Sequence, residues 1–365
     1  MGHRNPQYKR SPPRCTEPQP RESATTNSAP LRSRFGIITR TVPASEPKDY
    51  QPVTDYLTIG ELAGLLRRSF KYLFRPLPKI RMVRETPTGA PLVSVIIPTY
   101  NRSNVLRMAI QSVLYQTEQD FEVLVMGDGC TDDSEAVVKS IGDARIRWHN
   151  LPSNHGHQTA PMNAGLAMSR GRYIAILGHD DIWHSDHLRA QIRAITAANA
   201  GASISGVEMR GPRRASYCVV TGLFRGGVYN PVICSPPSGL MFSREVYERV
   251  GPWQDYRTIW RNPECEFQYQ AHLAGFQFVS TGELTVFKFP SILWKKAYIN
   301  RPSGEQGWYL DRIQKTRWFQ LKEALDIAWV HLLKLPMRKP AIAAPPSEHT
   351  PGWKVSQFRK LRGLE

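Results

Sequence analysis

The sequence predicts an α/β protein: a doubly wound, mostly parallel sheet with flanking helices and basic extensions at both ends. Three observations predict it. Short β-branched runs alternate with stretches of helical period between residues 93 and 188, which is the pattern of βα units. Several of these runs close on a polar cluster. The strongly charged, Pro-rich sequence is confined to the two ends of the chain.

The first run, Val93 to Ile97, is apolar and β-branched and is closed by Pro98, as expected of a strand buried on both faces. Val105, Leu106, Ala109, Ile110, Val113 and Leu114 then recur at helical spacing, which predicts a helix over 103–116 with Ser103 as N-cap. Phe121–Met126 reads as the second strand. It is followed by the turn Gly127-Asp-Gly-Cys-Thr-Asp132 and a helix through Val138. Arg145–His149 is a third, shorter strand, Asn163–Ser169 is helical, and Tyr173–Leu177 is a fourth strand ending at Gly178-His-Asp-Asp181. In doubly wound sheets ligands sit beyond the carboxyl ends of the strands. Three polar clusters fall at such ends: Thr99–Arg102, Asp128–Asp132 and His179–Asp181.

Outside this core, residues 1–57 are rich in Pro, Arg, Ser and Thr and are expected to be disordered, because they bury too little to offset their ordering entropy. Residues 58–90 hold a basic amphipathic helix and a linker. Ile59, Leu62, Leu65, Leu66, Tyr72 and Leu73 form its apolar stripe, with Arg67, Arg68, Lys71 and Arg75 among them. Its length is about 18 residues, ended by Pro76 and Pro78. Such a helix suits either an anionic membrane surface, through residues 58–80, or packing against the domain. The body spans 91–300, divided near 190 into two halves, 91–190 and 191–300. A helical, apolar-striped segment occupies 301–335, and a flexible basic tail is expected over 336–365.

The net charge of +17 invites a nucleic-acid reading, but its distribution argues otherwise. Residues 1–90 carry 16 Lys/Arg against 7 Asp/Glu, residues 91–300 carry 20 against 18, and residues 301–365 carry 12 against 6. The excess sits in the tails, without the interleaved aromatic platform of a single-strand binder, so no nucleic-acid partner is expected. Five scattered cysteines, odd in number and without CxxC spacing, point to a reduced, cytoplasmic setting. No apolar run approaches the roughly 20 residues of a membrane span, and the first residues lack the apolar centre of a signal peptide.

The stretch Val95-Ile-Ile-Pro-Thr-Tyr-Asn-Arg102 resembles the first strand and loop of glycosyltransferase family 2, the inverting GT-A-fold enzymes. Leu124-Val-Met-Gly-Asp-Gly-Cys-Thr-Asp132 is similar to the family's second strand and acidic loop. Asn154-His-Gly156 and Asn163-Ala-Gly165 resemble its central segment, and Tyr173 to Trp183 with Asp186-His-Leu188 resembles its metal-binding strand end. The order and spacing of these motifs over about 200 residues make the resemblance specific where each alone is weak. It implies a GT-A-type fold and transfer of a sugar from a nucleoside diphosphate (UDP-, GDP- or dTDP-linked) to a glycan, lipid-linked or protein acceptor, with one divalent metal.

Carried over by position, the resemblance places Pro98, Thr99, Tyr100, Arg102, Asp128 and Asn163 at the nucleotide sugar. His179 falls beside the diphosphate, and Asp180 with Asp181 at Mg²⁺ or Mn²⁺, which favours one or two carboxylates plus phosphate oxygens. Asp181 is a ligand or an orienting residue. Direct displacement needs a carboxylate to take the acceptor's proton, and Pro263-Glu264-Cys265-Glu266-Phe267 resembles the family's catalytic acidic motif. This puts Glu264 as base with Glu266 two positions on. Trp253 is suited to stack on an acceptor sugar or to fill a core. Two positions depart from the family pattern: Gly127 and Gly178 each stand where an Asp is usual. Two other classes remain open, an inert binding protein that keeps the fold and a nucleotidyltransferase. The latter calls for a Gly-rich cationic phosphate loop after the first strand, which Pro98-Thr-Tyr-Asn101 is not.

Overall fold

A strand flanked on both sides by other strands and covered on both faces must be apolar at every position, and β1 (Val93–Thr99) is such a strand, with all seven residues buried. The computed structural model describes residues 57–85, 87–212, 218–224, 228–231, 233–334 and 351–365. The disorder expected over 1–57 and the tail residues 336–350 therefore lie, apart from Leu57, outside the described residues.

α1 (Ile59–Phe70) begins at a capping box in which Thr58 and Glu61 satisfy each other's backbone N–H groups. It runs into a single 3₁₀ turn at Lys71–Phe74. Leu62, Leu65 and Tyr72 are buried in the domain, so intramolecular packing covers part of the apolar stripe, while Ile59, Phe70 and Phe74 are exposed.

After β1 come α2 (Ser103–Leu114), β2 (Phe121–Gly127), α3 (Ser134–Lys139), β3 (Ile146–Asn150), α4 (Thr159–Met168) and β4 (Tyr173–Ile176). The four strands lie in the order β3-β2-β1-β4 and all three pairings are parallel. Alternation across β1 splits its side chains between two cores. Val95 and Ile97 pack with Leu106 and Ile110 of α2, while Ile96 packs with Met162 and Leu166 of α4. Ser103 is the first helical residue of α2 and not its cap. The cap comes through space, as the Ser103 backbone N–H donates to Asp132 Oδ2 at 3.1 Å.

The second half contains β5 (Ile182–Trp183), α5 (His187–Ala198), β6 (Ala202–Arg210), β7 (Cys218–Thr221), β8 (Leu240–Ser243), α6 (Arg244–Val250), α7 (Pro263–Leu273) and β9 (Phe278–Lys288). It continues the same sheet as β4-β8-β6-β9-β5, with β7 on the far side of β6. Here only β6 and β9 run parallel. The others pair antiparallel, so the sheet is parallel at one end and mixed at the other. A short turn of helix, α8 (Ala297–Asn300), precedes α9 (Gly304–Lys315) and α10 (Phe319–Leu332), which divide the apolar stretch 301–335 at Thr316–Trp318. α11 (Trp353–Arg362) is helical where the sequence predicts a flexible tail. Its own composition is weak, but tertiary contacts hold it: Val355 is buried, and Arg359 Nη1 donates to the Gly156 carbonyl at 2.6 Å. No described helix is long and apolar enough to cross a membrane.

Candidate active site

Strand ends, a helix start and the last helix converge on a cavity of about 410 Å³. That volume lies in the range of small-molecule and cofactor sites. It opens at the carboxyl ends of β1, β2 and β4. Pro98, Thr99 and Tyr100 line it from the end of β1, and Asp128 enters one residue beyond β2. Asp128 is held in place by Asn154 Nδ2 at 3.0 Å and by the His155 backbone N–H at 3.0 Å, both donating to its carboxylate.

The two unusual glycines have a packing cause. A Cβ on Gly127 would come 2.4 Å from Asn150 Oδ1 and 2.8 Å from the Trp148 ring. Asn150 instead secures the loop, accepting from the Cys130 N–H at 2.8 Å and donating to the Cys130 carbonyl at 3.0 Å. A Cβ on Gly178 would crowd Asp181 Oδ2 at 2.9 Å.

Asp180 and Asp181 are adjacent in sequence and do different work. Asp180 lines the cavity. Burial pushes its pKa up, but the neighbouring His179, Lys288, Arg102 and Arg362 outweigh this and hold it below the ordinary aspartate value. Asp181 is fully buried and engaged by the protein itself. Ser238 Oγ and Lys288 Nζ donate to its Oδ2 at 2.5 and 2.9 Å, and the Phe289 N–H donates to Oδ1 at 3.2 Å. Both carboxylate oxygens of Asp181 are thus taken up by the protein, and it does not line the cavity. Burial drops the His179 pKa to about 4, so its imidazole is neutral at the cavity wall.

Arg102 is only 1% exposed. It lies 5.3 Å from the Tyr298 ring centroid, and its Nη2 donates to the Pro302 carbonyl at 3.3 Å. It stands behind the cavity wall, whereas the sequence placed it at the nucleotide. Its Nε and Nη1 are buried without partners.

On the opposite wall, Glu264 sits in the first turn of α7 and lines the cavity. Its Oε2 is buried without a hydrogen-bond partner. Burial raises its pKa above the ordinary glutamate value, and the opposing backbone bond and the charges of Lys288 and Arg362 do not cancel the effect. The next residue, Cys265, forms a disulfide with Cys234, with Cα atoms 4.9 Å apart across 31 residues of chain. This corrects the expectation that the cysteines are all reduced thiols: the fold brings together two that look scattered in sequence. Cys130 and Cys218 are free. Gln268 Nε2 reinforces the junction by donating to the Ser235 and Glu264 carbonyls at 2.8 and 3.0 Å.

Besides Arg102 and Asp181, three more sequence-predicted residues are not brought to the cavity. Glu266 lies off the wall, 3.7 Å from Arg261 Nη1 and accepting from Gln270 Nε2 at 2.7 Å. Trp253 is 2% exposed and packs on Phe267 in the second core, the core-filling alternative of its two expected roles. Asn163 makes a reciprocal pair with that residue, donating to the Trp253 carbonyl at 2.8 Å and accepting from its N–H at 2.9 Å. Trp253 is fixed inside the protein, and half-buried Asn163 spends one donor and one acceptor on its backbone.

The chemistry of the donor set bears on a metal. Among the described residues no group of three or more His, Cys, Asp or Glu is assembled to hold an ion. Asp180, whose carboxyl is held below the ordinary aspartate value on the cavity wall, fits a hard cation that arrives with phosphate oxygens and keeps its waters.

Sequence reading missed Lys288, Tyr298, Arg359 and Arg362, all of which line the cavity. Lys288 had a usable signal: it is the basic end of an apolar strand, β9, the same logic that singled out Asp128 and Asp180. The other three stand in segments whose pattern carries no such mark.

The glycosyl transferase family 2 model matches residues 94–250, the stretch that builds β1 through α6 and carries Asp128 and Asp180. Residues 94–250 belong to glycosyl transferase family 2. A protein named as an uncharacterized glycosyltransferase of Rickettsia conorii is 38% identical over 149 residues, 40% of this chain and 24% of that one. The succinoglycan biosynthesis protein ExoO of Rhizobium meliloti is 35% identical over 119 residues, 33% of this chain and 34% of its own. The chain thus spans about a quarter to a third of the length of these curated relatives. Among solved structures, S. aureus TarS 1–349 in complex with UDP is 17% identical, with a TM-score of 0.47 over 66% of this chain and 70% of that one. The family 2 domain ends before α7, so Glu264, Lys288 and α11 lie outside the matched residues.

Proposed function

We propose that the protein is an inverting glycosyltransferase that moves a sugar from a nucleoside-diphosphate sugar to a hydroxyl of a glycan, lipid-linked or protein acceptor. One observation carries the reading. Asp128 and Asp180 from strand ends and Glu264 from a helix start face one cavity, and the first two lie in the family 2 domain.

The roles follow from position. Asp128, held by Asn154 and His155, presents its carboxylate to the hydroxyls or ring N–H of the nucleoside. Asp180 holds Mg²⁺ or Mn²⁺ with the diphosphate. When bound, that cation neutralises charge developing on the departing diphosphate. Asp181, neutralised by Lys288, fixes the turn that aims Asp180. Glu264 takes the acceptor's proton through its unpartnered Oε2. Burial raises the pKa of this carboxyl above the ordinary glutamate value, which makes its ionised form a stronger base than an exposed carboxylate.

The test is turnover of purified protein with a panel of UDP-, GDP- and dTDP-sugars and Mn²⁺, read as released nucleoside diphosphate. Release with one donor, abolished by Asp180→Ala, is the expected result. No release with any donor, with or without glycan and lipid acceptors, overturns the proposal.

A further inference from the structure

Three cations surround Asp180, and they are not equally satisfied. Lys288 pairs with Asp181 at 2.9 Å. Arg102 is buried with two unpartnered nitrogens behind Tyr298. The third, Arg362, stands in the last turn of α11 and lines the cavity together with Asp180, Lys288 and Glu264. Its Nε is buried without a hydrogen-bond partner. Among the described residues no carboxylate lies within ion-pair distance of it, whereas its neighbour Arg359 pairs with Glu365 at 2.6 Å. The Arg362 side chain is half-buried, with its guanidinium 5.9 Å from the centroid of the Phe358 ring. Its charge thus stands on the cavity wall without an ion-pair partner of its own.

The position of Arg362 is fixed by the fold. At the start of α11 the Gly352 N–H donates to the Ile259 carbonyl at 3.3 Å. Near its end Arg359 grips the Gly156 carbonyl, on the loop that follows β3. The helix is thereby tied to both walls. The charge of Arg362 is felt on both sides, at His179 and Asp180 on the donor side and at Glu264 on the acceptor side. A cation in a last helical turn also answers the helix dipole, but Arg359 and the exposed Lys360 already do so.

We propose that Arg362 is a ligand of the donor's diphosphate, supplied by the chain's last helix from outside the family 2 domain. The inference rests on the glycosyltransferase reading and names a residue that would bind the leaving group. A guanidinium offers a planar fork that matches two phosphate oxygens. With Gly178 in place of an acid, the site has one carboxylate fewer to recruit metal, and a fixed cation compensates by meeting the diphosphate directly. It would hold the charge that grows as the sugar–phosphate bond breaks.

The test is calorimetric binding of UDP, GDP and dTDP at fixed ionic strength, each beside its nucleoside. Arg362→Gln is expected to weaken whichever diphosphate the wild type binds by about tenfold or more and to leave the nucleoside unchanged. Equal diphosphate affinity in the two proteins overturns the inference, as does an equal loss for diphosphate and nucleoside. A wild type that binds none of the three overturns the functional reading itself, and the inference with it. A second measurement needs no variant: phenylglyoxal labelling of wild-type Arg362 should be blocked by the bound diphosphate and not by its nucleoside. Equal labelling in both refutes the assignment.

Discussion

The two walls of the cavity are built by different means. Asp128 and Asp180 follow β2 and β4, the two strands that flank β1 in register, so the parallel sheet alone sets their spacing. Glu264 enters from the first turn of α7, and its backbone is held by cross-links: the Cys234–Cys265 disulfide and the bonds of Gln268. One wall is an outcome of topology and the other of local fastening. The first should tolerate damage elsewhere in the molecule; the second should respond to loss of its fasteners while donor binding persists.

The largest effect should come from the donor wall. Asp180→Ala removes the carboxylate that three cations hold ionised, and we expect turnover to fall by about three orders of magnitude or more. Chelation of divalent metal from the wild type should cost as much and add little to the variant. If chelation still costs the variant its full factor, the metal is held elsewhere. On the acceptor wall, Glu264→Gln should lower kcat by roughly 10³-fold and leave nucleoside-diphosphate affinity intact. The base works deprotonated and its pKa is raised. The acid limb of the wild-type kcat profile should therefore lie above the ordinary glutamate range, with rate lost as pH falls through it, and be absent in the variant. A pH profile shared by both proteins would assign the proton transfer to another group.

The same contrast explains what the sequence made legible. Parallel strands buried on both faces must be written as apolar runs, and their ends must turn polar. β1, β2 and β4 were therefore readable, and Thr99, Asp128 and Asp180 were found at the cavity. Asp181, Asn163 and Trp253 share the same motifs but face inward, because a strand end or helix presents alternate residues to solvent and to protein, and short motifs do not say which. The acceptor wall depends on pairs distant in sequence. Cys234 with Cys265, Lys288 with Asp181 and Arg359 with Gly156 carry no periodicity, and the mixed sheet that assembles them uses short strands such as β5 and β8.

The disulfide is the fastener that most separates the two walls. Closing a loop of 31 residues constrains the unfolded chain by about 3.5 kcal/mol in the loop-entropy model. Cys234→Ser should lower the thermal midpoint accordingly, as should a dithiol reductant on the wild type. Because Ser238, in the same segment, accepts from the Gly178 N–H and donates to Asp181, donor affinity should weaken somewhat. The drop in kcat should exceed it. Equal losses in both would mean that the segment serves the two walls alike.

The smallest expected effect tests the reassignment of Asn163. Its amide spends one donor and one acceptor on the Trp253 backbone, linking α4 to the chain that leads into α7. Asn163→Ala removes two hydrogen bonds and leaves two buried backbone groups unpaired, a loss of about 2 kcal/mol. Denaturant unfolding should show that loss in the midpoint, while calorimetric affinity for the nucleoside diphosphate stays at the wild-type value. A nucleotide contact would give the opposite result, a weaker affinity at unchanged stability. That outcome would return Asn163 to the donor wall and require the Trp253 loop to move aside when the nucleotide binds.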